Sequence, residues 1–153
     1  MERSTRAAYD GNMFHRRMKN PKKISKSKVK KTILVHSADH DLVRSLSTLL
    51  QDQYGIIATE SVEALGVQRN NKRVSLLVID LERTIPALLT EFECRRLQNM
   101  NAPIIVLYAY RQGQPELEKK IRQLTNQVLY KPAPIDQILT AISAEIKLHS
   151  FTL

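Results

Sequence analysis

Residues 74–80 read Val-Ser-Leu-Leu-Val-Ile-Asp, five apolar side chains in six positions followed by a carboxylate. A run this short, apolar and β-branched has no polar alternation. It fits a strand buried on both faces, the kind found in parallel sheets with helices packed on each side. Asp80 falls at the carboxyl end of that strand, the edge along which open α/β sheets form their ligand crevice.

Upstream, Thr32-Ile-Leu-Val-His36 is a second run of the same kind, and Ser37-Ala-Asp-His-Asp41 after it offers helix-capping side chains. Leu42, Leu46, Leu49 and Leu50 follow at helical spacing, and Tyr54-Gly55 closes that helix with Gly55 as a left-handed cap. Ile56–Thr59 reads as a strand and Val62–Gln68 as a short helix.

Downstream the alternation continues. Leu88–Leu97 is an amphipathic helix through Leu89, Phe92 and Leu97, with Cys94 a small half-buried hydrophobe on it, and Pro103–Leu107 is a fourth strand. Pro115–Leu124 is a fourth helix with Leu117, Ile121 and Leu124 on one face, and Val128–Tyr130 is a fifth strand. Pro134 opens a last helix, where its missing N–H costs nothing, and Ile135, Ile138, Leu139, Ile142 and Ile146 line the buried side. Strand and helix alternate five times, which predicts a doubly wound parallel sheet covered on both faces.

That architecture brings the Ser37–Asp41 loop, Asp80 and Lys131 from distant sequence to one edge. A carboxylate facing an ammonium there is either an ion pair fixing a loop or a phosphoryl acceptor with a lysine to steady the phosphoryl oxygens. Phosphoryl transfer also calls for magnesium, which takes oxygen ligands that usually include one or two carboxylates. Asp80 alone is a weak start for such a site. His36 and His40 flank the crevice near Asp39, but their spacing matches no compact metal motif. The sequence has no glycine-rich phosphate loop, nucleophile elbow or paired crevice carboxylates, so a hydrolytic enzyme is disfavoured.

Charge divides the chain more sharply than proline or glycine does. Residues 1–31 hold eleven Lys/Arg against two Asp/Glu, while residues 32–153 hold thirteen of each, so the tail carries the whole formal excess of +9. With no apolar period and like charges side by side, residues 1–31 are expected to be a disordered tail and 32–150 the domain. The tail is either a solubilising segment or a contact for nucleic acid or an anionic surface, with Tyr9 and Phe14 able to stack. One cysteine excludes an internal disulfide and a cysteine-rich zinc site, and fits a reduced, cytoplasmic setting. No apolar run reaches the ~18 residues of a membrane span.

Four segments resemble the response-regulator receiver family, of the chemotaxis-receiver type: Ile33-Leu-Val35, Val78-Ile-Asp-Leu81, Pro103-Ile-Ile-Val-Leu107 and Leu129-Tyr-Lys-Pro132. The resemblance spans residues 32–150. It implies a flavodoxin-like five-stranded sheet of order 2-1-3-4-5, with Asp80 as phosphoacceptor and Lys131 as the phosphoryl-contacting lysine. It also implies a two-component or phosphorelay role, with a histidine kinase or an output protein as partner.

The departures from the pattern cluster at the same pocket. Where receivers place two magnesium-binding acids, this chain has Ser37 and Ala38, leaving Asp39 and Asp80 as the available metal carboxylates. The switch positions carry Tyr108 instead of a short hydroxyl and Val128 instead of an aromatic. The chain is therefore expected to be an atypical, stand-alone pseudo-receiver acting by protein–protein contact, with no cofactor beyond a weakly held magnesium ion. Its docking face would be the fourth helix, fifth strand and fifth helix, near Tyr130, Arg111, Lys119 and Arg122. The alternative is a working receiver phosphorylated on Asp80 by a histidine kinase.

Overall fold

The computed structural model describes residues 29–61, 64–65, 74–81, 90, 102–110, 112–125 and 127–150. In chain order these form β1 (Lys31–His36), α1 (His40–Leu50), β2 (Tyr54–Thr59), β3 (Val74–Asp80), β4 (Ile104–Tyr108), α2 (Pro115–Leu124), β5 (Gln127–Tyr130) and α3 (Ile135–Leu148). Of the helices expected over 62–68 and 88–97, Ala64, Leu65 and Thr90 are described and are helical. The rest of those helices lies outside the described residues, as do positions 1–28, Cys94 and Arg111.

The strands make one parallel sheet of order β2-β1-β3-β4-β5. Side chains alternate across it and feed two cores. On one face Ile33, Val35, Val78 and Ile105 meet Leu46 and Leu50 of α1 and Ile138, Ile142 and Ile146 of α3. On the other, Leu34, Leu77, Ile79 and Val106 meet Leu65 and Ile121 of α2. β3 sits in the middle, and the Val74–Asp80 stretch is buried from Leu76 onward. Burial of each such aliphatic side chain contributes about 1.5–3 kcal/mol, which is why an almost unbroken apolar run is stable only between two helical layers.

Two sequence expectations are corrected at element ends. Gly55 does not cap α1. The helix ends at Leu50, Gln51 caps it in a right-handed conformation, and its N–H donates to the Ser47 carbonyl at 3.1 Å. Tyr54 and Gly55 instead open β2, because ladder pairing with Lys31 and Thr32 extends the strand back to them. Pro134 precedes its helix as the capping residue (φ −60°, ψ 145°), with Ile135 the first helical position. The missing N–H costs no hydrogen bond there either. The one positive-φ glycine among the described residues is Gly113 at 87°, in the turn leading to α2.

Candidate functional site

Parallel strands deliver their carboxyl ends to one edge, and three residues converge there. Asp80 closes β3, Ser37 follows β1 and Lys131 follows β5. The Lys131 ammonium lies 3.1 Å from Asp80 Oδ1 and 3.2 Å from Oδ2. The Ser37 hydroxyl donates to Oδ2 at 2.9 Å and accepts the Asp39 N–H at 3.0 Å. Backbone bonds hold the three strand ends level: Ser37 N–H to the Thr59 carbonyl, Leu81 N–H to Leu107 and Lys131 N–H to Tyr108. The Asp80 side chain is 2% exposed and that of Lys131 20%, so the carboxylate is almost wholly buried beside a partly exposed ammonium.

Asp39 is turned elsewhere. Its Oδ1 accepts from the Asp41 and Leu42 N–H groups at 3.0 Å each, capping α1. A carboxylate at a helix N-terminus is held there by the unpaired amides and the helix dipole. Ala38 is exposed and brings no ligand. His40 is exposed beside Glu60 at 3.5 Å. Among the described residues no group of three or more His, Cys, Asp or Glu converges as a metal centre. Among the described residues, the groups bonded to the Asp80 carboxylate are the Ser37 hydroxyl and the Lys131 ammonium.

No protein-family model and no curated protein matches this sequence. Solved structures do match. The signal receiver domain of an HD domain-containing protein from Pseudomonas fluorescens aligns with a TM-score of 0.68 at 15% identity, over 84% of this chain and 95% of that one. The response regulator FixJ from B. japonicum aligns at 0.64 and 19% identity, over 80% of this chain and 60% of that longer one. Other matches are named as response regulators or receiver domains, and the strand order is theirs. The fold is that of a response-regulator receiver domain. The receiver fold also occurs in a structure named as an adenylate cyclase from Rhodopirellula baltica, at TM-score 0.65 and 22% identity, over 79% of this chain and 90% of that one.

Within this receiver fold, sequence reasoning had Asp80 and Lys131 facing one another, and they do. It brought the Ser37–Asp41 loop to the same edge but counted Ser37 itself only as a lost acid, without its bond to Asp80. The available signal was a serine directly at the end of β1, where its short side chain can reach the neighbouring strand end.

His36, the last residue of β1, is 3% exposed, and among the described residues its Nδ1 has no hydrogen-bond partner. Burial holds its pKa below the ordinary 6.5, partly offset by the Asp80 charge and by a hydrogen bond to the Thr59 backbone. The native imidazole is thus neutral where an unfolded one begins to charge. Between pH 6.5 and the lower native value the unfolded chain binds the proton first, so stability falls as pH falls through that window and is fully present above it. Urea titrations at pH 8 and pH 5.5 should show this loss, and His36→Val should flatten the difference. An unchanged pH slope in that variant would remove His36 as its cause.

Tyr108 and Val128, the residues expected at the switch positions, belong to one core cluster. Tyr108 is 1% exposed and Val128 packs against the same residues. Tyr108 ends β4, one position earlier than a post-strand residue, because it pairs with Tyr130 of β5. Among the described residues its buried hydroxyl has no hydrogen-bond partner. A buried hydroxyl left unpaired costs free energy, so Tyr108→Phe is expected to stabilise the domain by about 1 kcal/mol. A loss of stability in urea melts would show that the hydroxyl has a favourable contact after all.

Tyr130 points to the α2 side. Tyr110 meets it edge-on, with centroids 6.4 Å apart and planes at 77°, and the Arg122 guanidinium lies 5.8 Å from its ring centroid. Its hydroxyl donates to Glu118, which also pairs with Arg122 Nε at 3.0 Å. That hydrogen bond to a carboxylate raises the phenol above its usual pKa. Tyr110 is 61% exposed and Tyr130 38%. Tyr130, Arg122 and Lys119 were expected on this face; Tyr110 and Glu118 were not, although Glu118 and Arg122 stand four apart on a helix. Arg111 lies outside the described residues.

Proposed function

We propose that this domain is an atypical receiver that docks a signalling protein without phosphoryl transfer to Asp80. The observation that carries the reading is Ser37, whose hydroxyl donates to an Asp80 oxygen from a position where the receiver pattern has a carboxylate. Magnesium prefers near-octahedral oxygen ligands, usually with carboxylates among them. One carboxylate already bonded by a lysine and a serine meets that demand poorly, and among the described residues the nearby Asp39 is engaged as the α1 cap. Asp80 and Lys131 then act as a clasp. Through Ser37 and the Asp39 N–H they tie the start of α1 to the end of β5.

The docking face we assign is that of α2, β5 and α3, centred on Tyr110, Tyr130 and Arg122. Preordered tyrosines and arginine are the side chains that dominate binding energy at protein interfaces. The edge-on ring contact links Tyr110 to Tyr130 and the Glu118 bonds hold Tyr130 and Arg122 before a partner arrives, which lowers the ordering cost of association.

The Asp80–Lys131 contact also supports a second reading, a receiver phosphorylated on Asp80 by a histidine kinase. Incubation with acetyl phosphate and magnesium, followed by intact-mass analysis, separates the two. We expect no phosphoryl adduct on the wild-type chain. An adduct that needs magnesium and disappears in Asp80→Asn would establish the second reading.

A further inference from the structure

We infer that the amino edge of the sheet is a docking surface for an anionic phospholipid bilayer, separate from the Asp80 pocket and from the tyrosine face. The large hydrophobic side chains exposed among the described residues are Val29, Leu49, Tyr110, Tyr130 and Leu148. Tyr110 and Tyr130 belong to the face already assigned to a protein partner. The other three come from distant sequence and lie at one end of the domain. Val29 precedes β1, while Leu49 and Leu148 stand in the last turns of α1 and α3, which run back against the strands and finish at their amino ends.

Two hydrogen bonds tie these three segments together. The Lys30 ammonium, next to Val29, donates to the Gln51 carbonyl at 2.8 Å, two residues past Leu49. Lys31 donates to the Ser150 hydroxyl, two residues past Leu148. The first residues of β1 thus bridge the ends of both helices and hold the three aliphatic side chains on one platform. Val29 is 91% exposed, Leu148 63% and Leu49 53%, so they stand out from the surface instead of lining a groove.

The platform is also basic. Lys30, Lys31 and Lys147 are exposed on it, against Asp52 as the exposed acid of the same segments. Glu145 is buried there. The acceptors that Lys30 and Lys31 bond are a carbonyl and a hydroxyl; neither carries a charge, so both ammonium groups keep theirs. Apolar side chains that enter the acyl boundary, ringed by lysines that reach the headgroups, supply the two signals that peripheral attachment to an anionic leaflet requires.

A bilayer suits this surface better than a second copy of the chain does. Two copies meeting about a two-fold axis would set the same lysines against one another, and like charges in apposition oppose association. Separate apolar knobs need a matching socket on a rigid partner, whereas a fluid interface closes around each of them. His36, at the crevice end of β1, lies five residue steps from Lys31, roughly 16 Å along the strand. Attachment at the amino edge therefore leaves the Asp80 crevice and the Tyr110–Tyr130 face open to a protein partner.

The test is co-sedimentation of the full chain with phosphatidylcholine vesicles, with and without phosphatidylserine, at about 0.1 M salt. Saturable binding is expected to the vesicles that contain phosphatidylserine and to be much weaker without it. Each aliphatic side chain half withdrawn from water is worth about five-fold, so Val29→Ser, Leu49→Ser and Leu148→Ser together should weaken binding roughly 100-fold. Lys30→Gln, Lys31→Gln and Lys147→Gln together should cost about as much. The basic residues ahead of Val29 are the same in every chain, so any attraction they add cancels in the comparison. The protein contains no tryptophan, which makes Leu148→Trp a unique reporter. Its emission should shift to the blue and be quenched by lipids brominated on the acyl chain. Gln112→Trp, in the exposed turn after β4 at the opposite edge, should do neither. No saturable binding to phosphatidylserine vesicles, undiminished binding in the triple serine variant, or quenching at position 112 instead of 148 would each overturn the assignment. A dimer in sedimentation equilibrium that the triple serine variant abolishes would overturn it too, and would give the surface to a second copy.

Discussion

Lys131→Met is expected to destabilise the domain by about 3 kcal/mol, toward the lower end of what removing one partner of a buried ion pair costs. The size follows from Asp80, whose side chain is 2% exposed. Once the ammonium is gone, the carboxylate keeps the Ser37 hydroxyl but loses the cation that compensates its desolvation. The lysine is itself 20% exposed, so water will enter and reduce the cost below that of a fully buried pair. Methionine retains the length and packing of the lysine stem, which keeps the comparison about charge. Adding Asp80→Asn to the same chain should recover much of the loss, because the uncompensated charge is removed with its partner. Urea denaturation of the wild type, both single variants and the double variant gives the coupling directly. Additive single effects would mean that the two groups do not hold one another.

Ser37→Asp is expected to make the domain's stability depend on magnesium. In the absence of metal the new carboxylate would stand within contact distance of Asp80, replacing a 2.9 Å hydrogen bond by repulsion between like charges. The Asp39 N–H keeps an acceptor, so the loss should be about 1–3 kcal/mol, arising mainly at Asp80. With two carboxylates at one point the donor set begins to suit a magnesium ion. Ten-millimolar metal acting on a site of millimolar affinity restores about 1.4 kcal/mol. The wild type should show no such rise under the same conditions. Equal responses to magnesium in both chains would mean that Ser37 does not decide metal binding.

The fold was legible because its information is carried by apolar period. Val74–Ile79, Ile33–Val35 and Ile104–Leu107 have so little polar character that only a two-sided parallel sheet could bury them, and the helices between them carry leucine and isoleucine at helical spacing. Element ends were harder to read. Gly55 looks like a cap in the local sequence, but pairing with Thr32 across the sheet takes precedence, and that is a tertiary fact. At the site, Asp80 and Lys131 were legible because each sits at the end of an apolar strand. Ser37 was not, since a missing carboxylate reads as a loss until the hydroxyl is seen bonded to Asp80. The Tyr110–Tyr130–Arg122 cluster joins the loop after β4 and the end of β5 to one helix, and edge-to-face contact leaves no periodic signal.

The most direct measurement of the central claim is an amide NMR spectrum of the domain titrated with beryllofluoride, with and without magnesium, beside Asp80→Asn. If the pocket is a clasp instead of a phosphoryl site, the Ser37, Asp80 and Lys131 resonances stay in place and the Tyr110 and Tyr130 amides do not move. Saturable shifts at Asp80 that require magnesium, vanish in Asp80→Asn and spread to Tyr130 would contradict it, and would make this a receiver switched by phosphorylation.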